Sequence, residues 1–102
     1  MSAPWLSVIV PTYNGAKYLR AALDSVVREA TVTIAFGIEI IAIDDGSTDN
    51  TLSILHEYRS TLNLTIINRR VGNWADNTNH ALQLAHGEYA CFLHQDDLWL
   101  PG

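Results

Sequence analysis

The chain has 102 residues, of which 48% are hydrophobic and 17% charged, a composition typical of a folded domain or part of one rather than a disordered segment. Its formal net charge of −5 argues against nucleic acid as a partner, because binding to a phosphate backbone depends on Lys and Arg. One cysteine excludes an intrachain disulfide and a multi-cysteine zinc site, and no apolar run approaches the roughly 18 residues of a membrane span. A cytoplasmic location is the default expectation, with any membrane association left to segments outside these residues.

The first half of the chain predicts a strand, a helix and a second strand. Residues 6–10 form a β-branched run that predicts a strand, and residues 11–15 are turn formers that close it. A helix is expected next, because one apolar stripe has helical spacing: Leu19, Ala22, Leu23, Val26 and Val27. Residues 31–37 are interpreted as a connector. Residues 38–43 predict the second strand, and residues 44–49 a turn rich in capping residues.

The second half repeats this alternation. A helix is predicted over residues 50–59, with Leu52, Leu55 and either Tyr58 or Arg59 near its inner face, and a strand over residues 64–67. After a polar loop, a third helix is expected to carry four residues inward and to have Gly87 as its C′ residue. The four are Thr78, Ala81, Leu82 and Ala85. Residues 89–93 predict a fourth strand, in which Cys91 is expected to be a small core residue.

Alternating strands and helices predict βαβ units, because parallel strands need crossover connections. The strands are almost continuously apolar, as expected when helices cover both faces of a sheet. The predicted fold is therefore α/β, with three α/β/α layers and a mostly parallel, Rossmann-like sheet that is expected to be incomplete. An incomplete sheet would expose an edge, so self-association is also expected.

Polar residues follow every predicted strand, at the edge where doubly wound sheets bind ligands. They are Thr12, Tyr13 and Asn14; Asp44 and Asp45; Asn68 and Arg69; and residues 94–97. Neither a G-x-G-x-x-G nor a P-loop motif is present, which argues against common dinucleotide and P-loop sites. Asp45 could accept hydrogen bonds from a base or a ribose, or serve as an N-cap or in an Asx-turn, and Tyr13 could pack on a base.

Asp96 and Asp97 follow the fourth predicted strand directly. Adjacent carboxylates on a tight turn could hold Mg²⁺ or Mn²⁺, which favour oxygen ligands and often share them with substrate phosphates. The alternative is that one of them caps the turn that leads into Leu98 and Trp99. The sequence thus predicts a divalent metal site without excluding a purely structural turn.

Four ordered motifs carry a resemblance to a known family. Residues 7–14 (SVIVPTYN), 43–49 (IDDGSTD), 79–89 (NHALQLAHGEY) and 95–101 (QDDLWLP) strongly resemble the amino-terminal half of family 2 glycosyltransferases, which have the GT-A fold. The resemblance implies that residues 1–102 are the donor-binding part of a GT-A domain whose acceptor-binding half is absent. It also implies polysaccharide or glycoconjugate biosynthesis.

The implied activity is transfer of a sugar from a nucleotide-diphosphate donor to an acceptor sugar or glycoconjugate, with inversion and with a divalent metal (Mn²⁺ or Mg²⁺). Matched to the motifs, Pro11, Thr12 and Tyr13 would line the nucleoside, and Asp45 would hold the base with Asp44 beside it. Asp96 and Asp97 would bind the metal.

Two positions depart from the family pattern. His94 stands where members often have Asp, so it is a further candidate that could coordinate the metal or contact a phosphate. Thr78 stands where members often have Arg, which removes a phosphate contact unless Arg69 or Arg70 supplies it. The general base is expected beyond Gly102, so this part alone is expected to be inactive. The alternative function is a non-catalytic module that binds nucleotide-sugars or a protein partner.

Overall fold

The computed structural model describes residues 6–33, 37–87 and 89–93. Its elements are, in chain order, β1 (Leu6–Thr12), α1 (Ala16–Thr33), β2 (Ile38–Asp44), α2 (Thr51–Tyr58), β3 (Leu64–Asn68), α3 (Trp74–Leu84) and β4 (Tyr89–Phe92). Within this described part, four strands form one sheet in the order β3-β2-β1-β4, and each neighbouring pair is parallel. The predicted parallel α/β architecture is confirmed.

Helices cover both faces of the sheet and make three layers. On one face, α1 and α2 pack against β-strand residues such as Val8, Val10 and Ile40. On the other face, Ala81 of α3 packs against Ile9 and its neighbours on β2. Residues that alternate along one strand therefore belong to two separate cores, which explains why the strands are apolar almost throughout.

The first helix buries the stripe that its spacing predicts. Leu19, Ala22, Leu23 and Val26 are fully buried, while Arg20 lies on the exposed side. In the shorter α2, Ile54 and Leu55 are buried, and the predicted Leu52 and Tyr58 are partly buried and pack against the same core. No helix in the described part of the chain combines the length and the apolar character needed to cross a membrane.

Several predicted boundaries were wrong. β1 continues through Pro11 and Thr12, and β2 through Asp44, because the parallel pairing between the two strands extends to the pair Thr12 and Asp44. Residues 31–33 are helical rather than part of a connector, and residues 34–36 lie outside the described part of the chain. Extending an existing helix adds one hydrogen bond per residue, and this outweighs the weak helix propensity of β-branched side chains.

The end of α3 also differs from the prediction. The helix ends at Leu84 with Ala85 as an extended C-cap, so Gly87 is not its C′ residue, and Leu82 is exposed rather than inward. Gly87 is needed for a different reason: a Cβ atom there would lie 2.6 Å from the backbone nitrogen of Ser7. Cys91 is half-buried against the α1/α2 core, and this burial raises the pKa of its thiol.

Candidate functional site

The carboxyl ends of three strands bring the predicted site residues side by side. Thr12, Asp44 and Asn68 are register partners across β1, β2 and β3. The ladder continues one residue further, since the N–H of Asp45 donates to the carbonyl of Thr12 at 3.0 Å and the N–H of Arg69 donates to the carbonyl of Asp44 at 2.8 Å. We call this side of the sheet the carboxyl edge. Sequence reasoning correctly expected these residues to meet there.

Asp44 is fully buried and organises the turn that follows it. Its carboxylate accepts hydrogen bonds from the hydroxyl of Thr12 at 2.7 Å, and from the hydroxyl and N–H of Ser47 at 2.6 and 2.8 Å. Thr12 and Pro11 are buried as well. The nucleoside contacts predicted for Pro11, Thr12 and Asp44 stay predictions, and the structure adds a supporting role for Asp44 that sequence reasoning missed.

The loops after β1 and β2 are joined into one unit. Asn14, which has a positive φ of 48°, donates its N–H to the hydroxyl of Ser47 at 2.8 Å and accepts the N–H of Thr48 on its side chain at 2.8 Å. Asp49 accepts the first N–H of α1 at 3.2 Å and the first N–H of α2 at 2.9 Å. The capping composition of residues 44–49 predicted a helix start at α2, but not the second contact with α1.

Asp45 holds the loop between β3 and α3. Its carboxylate accepts the N–H of Val71 at 2.6 Å and the N–H of Gly72 at 2.8 and 3.0 Å. We call this arrangement the Asp45 latch. The bonds from Gly72 and Val71 lower the pKa of Asp45, with a smaller contribution from the charge of Arg70, so the carboxylate is ionised at neutral pH. The N-cap of α2 is Asn50, so the alternative N-cap role for Asp45 at α2 was wrong.

Three exposed or partly exposed side chains with different chemistry line this edge. Tyr13 is 56% exposed, Asp45 is half-buried, and Arg70 is exposed beside Gly46. An aromatic ring can pack on a base, a carboxylate can accept hydrogen bonds from a base or a ribose, and a guanidinium can bind phosphate. This combination suits a nucleotide better than a purely apolar ligand.

Thr78 and Arg69, two of the positions considered above for a phosphate contact, are both held by hydrogen bonds within the protein. Thr78 is buried in α3, and its hydroxyl donates to the carbonyl of Ala75 at 3.1 Å. Arg69 is fixed to the start of α3, because its Nη1 donates to Oδ1 of Asn77 at 3.1 Å and Nδ2 of Asn77 donates back to the carbonyl of Arg69 at 2.9 Å. Arg69 therefore helps to hold the connection between β3 and α3 in place.

The predicted metal ligands His94, Asp96 and Asp97 lie outside the described residues. Within residues 6–33, 37–87 and 89–93, no group of three or more His, Cys, Asp or Glu side chains is arranged to hold a metal ion. The oxygens of Asp44 and Asp45 already accept hydrogen bonds. The described residues thus do not fit a metal centre by themselves, and the metal site stays a prediction.

Comparison with known proteins connects this geometry to a family. Residues 7–102 match the family described as glycosyl transferase family 2. The chain is also 40% identical over 93 residues to the poly(ribitol-phosphate) beta-N-acetylglucosaminyltransferase TarS of Staphylococcus aureus, a match that covers 89% of this chain and 16% of TarS.

Solved structures show the same fold. The structure of S. aureus TarS 1-349 in complex with UDP-GlcNAc superimposes with a TM-score of 0.83 at 38% identity, covering 92% of this chain and 27% of that one. The mannosyltransferase PcManGT from Pyrobaculum calidifontis, in complex with GDP-Man and Mn²⁺, gives a TM-score of 0.78 at 30% identity, covering 97% of this chain and 29% of that one. The chain therefore spans less than a third of each relative.

Proposed function

The chain belongs to glycosyl transferase family 2, and from this membership we propose that it is the donor-binding part of an enzyme that transfers a sugar from a nucleotide-diphosphate donor to an acceptor hydroxyl. One observation carries the proposal: Tyr13 and Asp45 lie together at the carboxyl edge of a fold shared with a structure that contains UDP-GlcNAc. Ligands of doubly wound sheets bind at this edge.

The exposed residues can bind the nucleoside while the buried ones position them. The ring of Tyr13 offers a face for the base. Asp45 is ionised, and a carboxylate has about four acceptor positions. Its bonds to Val71 and Gly72 leave room for a further donor from a base or ribose. The buried Thr12 and Asp44 position Tyr13 and Asp45, because the hydrogen bond between Thr12 and Asp44 joins the carboxyl ends of β1 and β2.

We further propose that transfer is metal-assisted and proceeds with inversion. Asp96 and Asp97 supply the carboxylate oxygens that Mn²⁺ and Mg²⁺ prefer, with His94 as a further candidate ligand. A divalent ion held there would neutralise the diphosphate as it leaves. The acceptor oxygen bonds to the anomeric carbon on the opposite face, the carbon–oxygen bond to the diphosphate breaks, and the acceptor proton passes to a general base that is not among the residues assigned here.

Titration calorimetry on the full-length protein tests this function. UDP, GDP and UDP-GlcNAc are titrated with Mn²⁺ and again with a chelator. We expect one nucleotide diphosphate to bind with clear metal dependence, and Asp45→Ala to weaken that binding about tenfold. Asp96→Asn and Asp97→Asn should remove the metal dependence, whereas His94→Asp should preserve or strengthen it, because carboxylate oxygen suits these ions better than imidazole.

The matched control is Asp24→Ala, which removes an exposed carboxylate halfway along α1, away from the carboxyl edge, and should leave the affinity unchanged. Consumption of the donor together with transfer of its sugar to an acceptor would support the proposal that the protein is an enzyme. Binding without any transfer, in the presence of a range of sugar acceptors, favours the non-catalytic module. Equal affinity with chelator and with Mn²⁺ would contradict the metal site but leave the nucleotide site standing.

A further inference from the structure

The carboxyl edge is acidic, yet the proposed donor is an anion. Asp44 is the last residue of β2, and Asp45 and Asp49 lie in the loop that follows. Four cationic side chains of the described residues lie on this side of the sheet, two early in α1 and two directly after β3: Lys17, Arg20, Arg69 and Arg70. A cation at this edge would offset the negative charge of a diphosphate. A cation that already has a partner within the protein is less available to bind phosphate.

Three of these cations already have partners. The two terminal guanidinium nitrogens of Arg20, Nη1 and Nη2, both donate to the carboxylate of Glu57, Nη2 at 2.9 Å. Arg69 donates to Asn77, and the ammonium of Lys17 lies 5.2 Å from the ring centre of Tyr18. Among the described residues, Arg70 has neither a hydrogen bond nor an ion pair, although its charge acts on Asp45.

The side chain of Arg70 is nevertheless positioned. Its aliphatic part lies over Gly46, where a Cβ atom would come within 2.8 Å of the Arg70 Cδ and 2.9 Å of its Cγ. Gly46 also has a positive φ of 77°, a backbone conformation that residues with a side chain rarely adopt. The two residues after Arg70 donate to the Asp45 latch. Glycine on one side and the latch on the other therefore hold Arg70 at the edge.

We propose that Arg70 is a donor-binding residue whose guanidinium contacts the phosphate groups of the nucleotide-sugar, and that Gly46 positions it by leaving room for its aliphatic part. This inference rests on the proposed function, since it assigns a residue to the same site. A guanidinium fits phosphate better than an ammonium does, because its planar donors can form two parallel hydrogen bonds. Arg70→Lys is therefore not a conservative change here.

The test compares ligands with and without phosphate in the full-length protein. Affinities for UDP and uridine, and for GDP and guanosine, are measured with Mn²⁺ present. For the diphosphate that the unmodified protein binds, we expect Arg70→Ala to weaken binding about tenfold and Arg70→Lys by less, while nucleoside affinity stays unchanged. Gly46→Ala should weaken diphosphate binding through displacement of Arg70, and it should add little to the loss in Arg70→Ala.

Two matched controls remove a cation elsewhere: Lys17→Ala at the same edge and Arg59→Ala at the end of α2. Both should keep the unmodified affinity. Unchanged diphosphate affinity in Arg70→Ala, or an equal loss for diphosphate and nucleoside, would overturn the assignment of Arg70 while leaving the donor site in place. Failure of the unmodified protein to bind either diphosphate would overturn the proposed function, and this inference with it.

Discussion

The two ends of the β1–β2 pair are built alike but differ in what surrounds them. At the carboxyl edge, the hydroxyl of Thr12 donates to Asp44, its register partner. At the opposite end, which we call the amino edge, the hydroxyl of Ser7 donates to Glu39, which is again its register partner. Each acid is buried in an otherwise apolar strand, and each acts on the opposite face of the sheet from the other.

The amino edge is closed by the segment that enters β4. Glu39 accepts the N–H of His86 at 2.6 Å and lies 3.1 Å from its Nδ1, while the N–H of Gly87 donates to the Ser7 hydroxyl at 2.8 Å. These contacts tie the α3–β4 connection to β1 and β2. At the carboxyl edge, by contrast, Asp44 is followed by the half-buried Asp45. The buried acid at each edge therefore acts as a structural clamp, and at the carboxyl edge the partly exposed Asp45 marks the candidate ligand site.

The largest effect on stability is expected from Asp44→Ala. The change removes a buried acceptor of three hydrogen bonds and leaves the hydroxyls of Thr12 and Ser47 without their carboxylate partner. We expect a loss of about 3 kcal/mol in the free energy of unfolding, measured by urea denaturation. Asp44→Asn keeps one acceptor oxygen and should lose less. A loss for Asp44→Ala no larger than for the exposed Glu57→Ala would contradict the clamp.

A smaller loss is expected from Glu39→Ala, about 2 kcal/mol by the same measurement. Glu39 also accepts hydrogen bonds from two directions, but it lies beside His86, whose side chain is 74% exposed, so water can reach part of the cluster. Ser7→Ala is the comparison variant, because it removes one donor to Glu39 and the acceptor of the Gly87 N–H but leaves the carboxylate bonded to His86. If Glu39→Ala lowers the free energy of unfolding more than Asp44→Ala does, the expected ranking of the two edges is wrong.

The stability contributed by Glu39 at the amino edge should depend on pH. Burial alone would raise the pKa of Glu39, but the bonds from Ser7 and His86 outweigh it, so the pKa lies below the ordinary value of 4.5. A lowered folded pKa stabilises the protein above pH 4.5, and this contribution is lost as the pH falls through the folded value. The stability difference between the unmodified protein and Glu39→Gln should therefore shrink on acidification. A difference that grows below pH 4.5 would have the wrong sign.

Much of this architecture could be predicted because its signals are local. The runs at residues 6–10 and 38–43 and the stripe through Leu19 and Leu23 each identify an element from neighbouring residues. The Asp45 latch could not be predicted, since its partners Val71 and Gly72 lie 26 and 27 residues away and contribute backbone N–H groups that have no sequence signature. Composition marks where the chain turns, but not which distant loop the turn will contact.

The smallest effect on stability is expected from Asp45→Ala, although this acid is adjacent to the one expected to matter most. Its partners are exposed loop N–H groups that water can satisfy after the carboxylate is removed. The melting temperature should change several-fold less than for Asp44→Ala, while hydrogen exchange at the amides of Val71 and Gly72 should accelerate.

Asp45→Asn is the control for that measurement, because its amide oxygen can still accept one of the two N–H groups and should protect them in part. A loss of stability in Asp45→Ala equal to that of Asp44→Ala would place Asp45 in the same clamp and remove the distinction between the two residues. Faster exchange at Val71 and Gly72 with nearly unchanged stability would instead show a carboxylate that organises a loop without supporting the core. Such a carboxylate can exchange part of its bonding for a ligand at little cost to the fold, as a donor site at this edge requires.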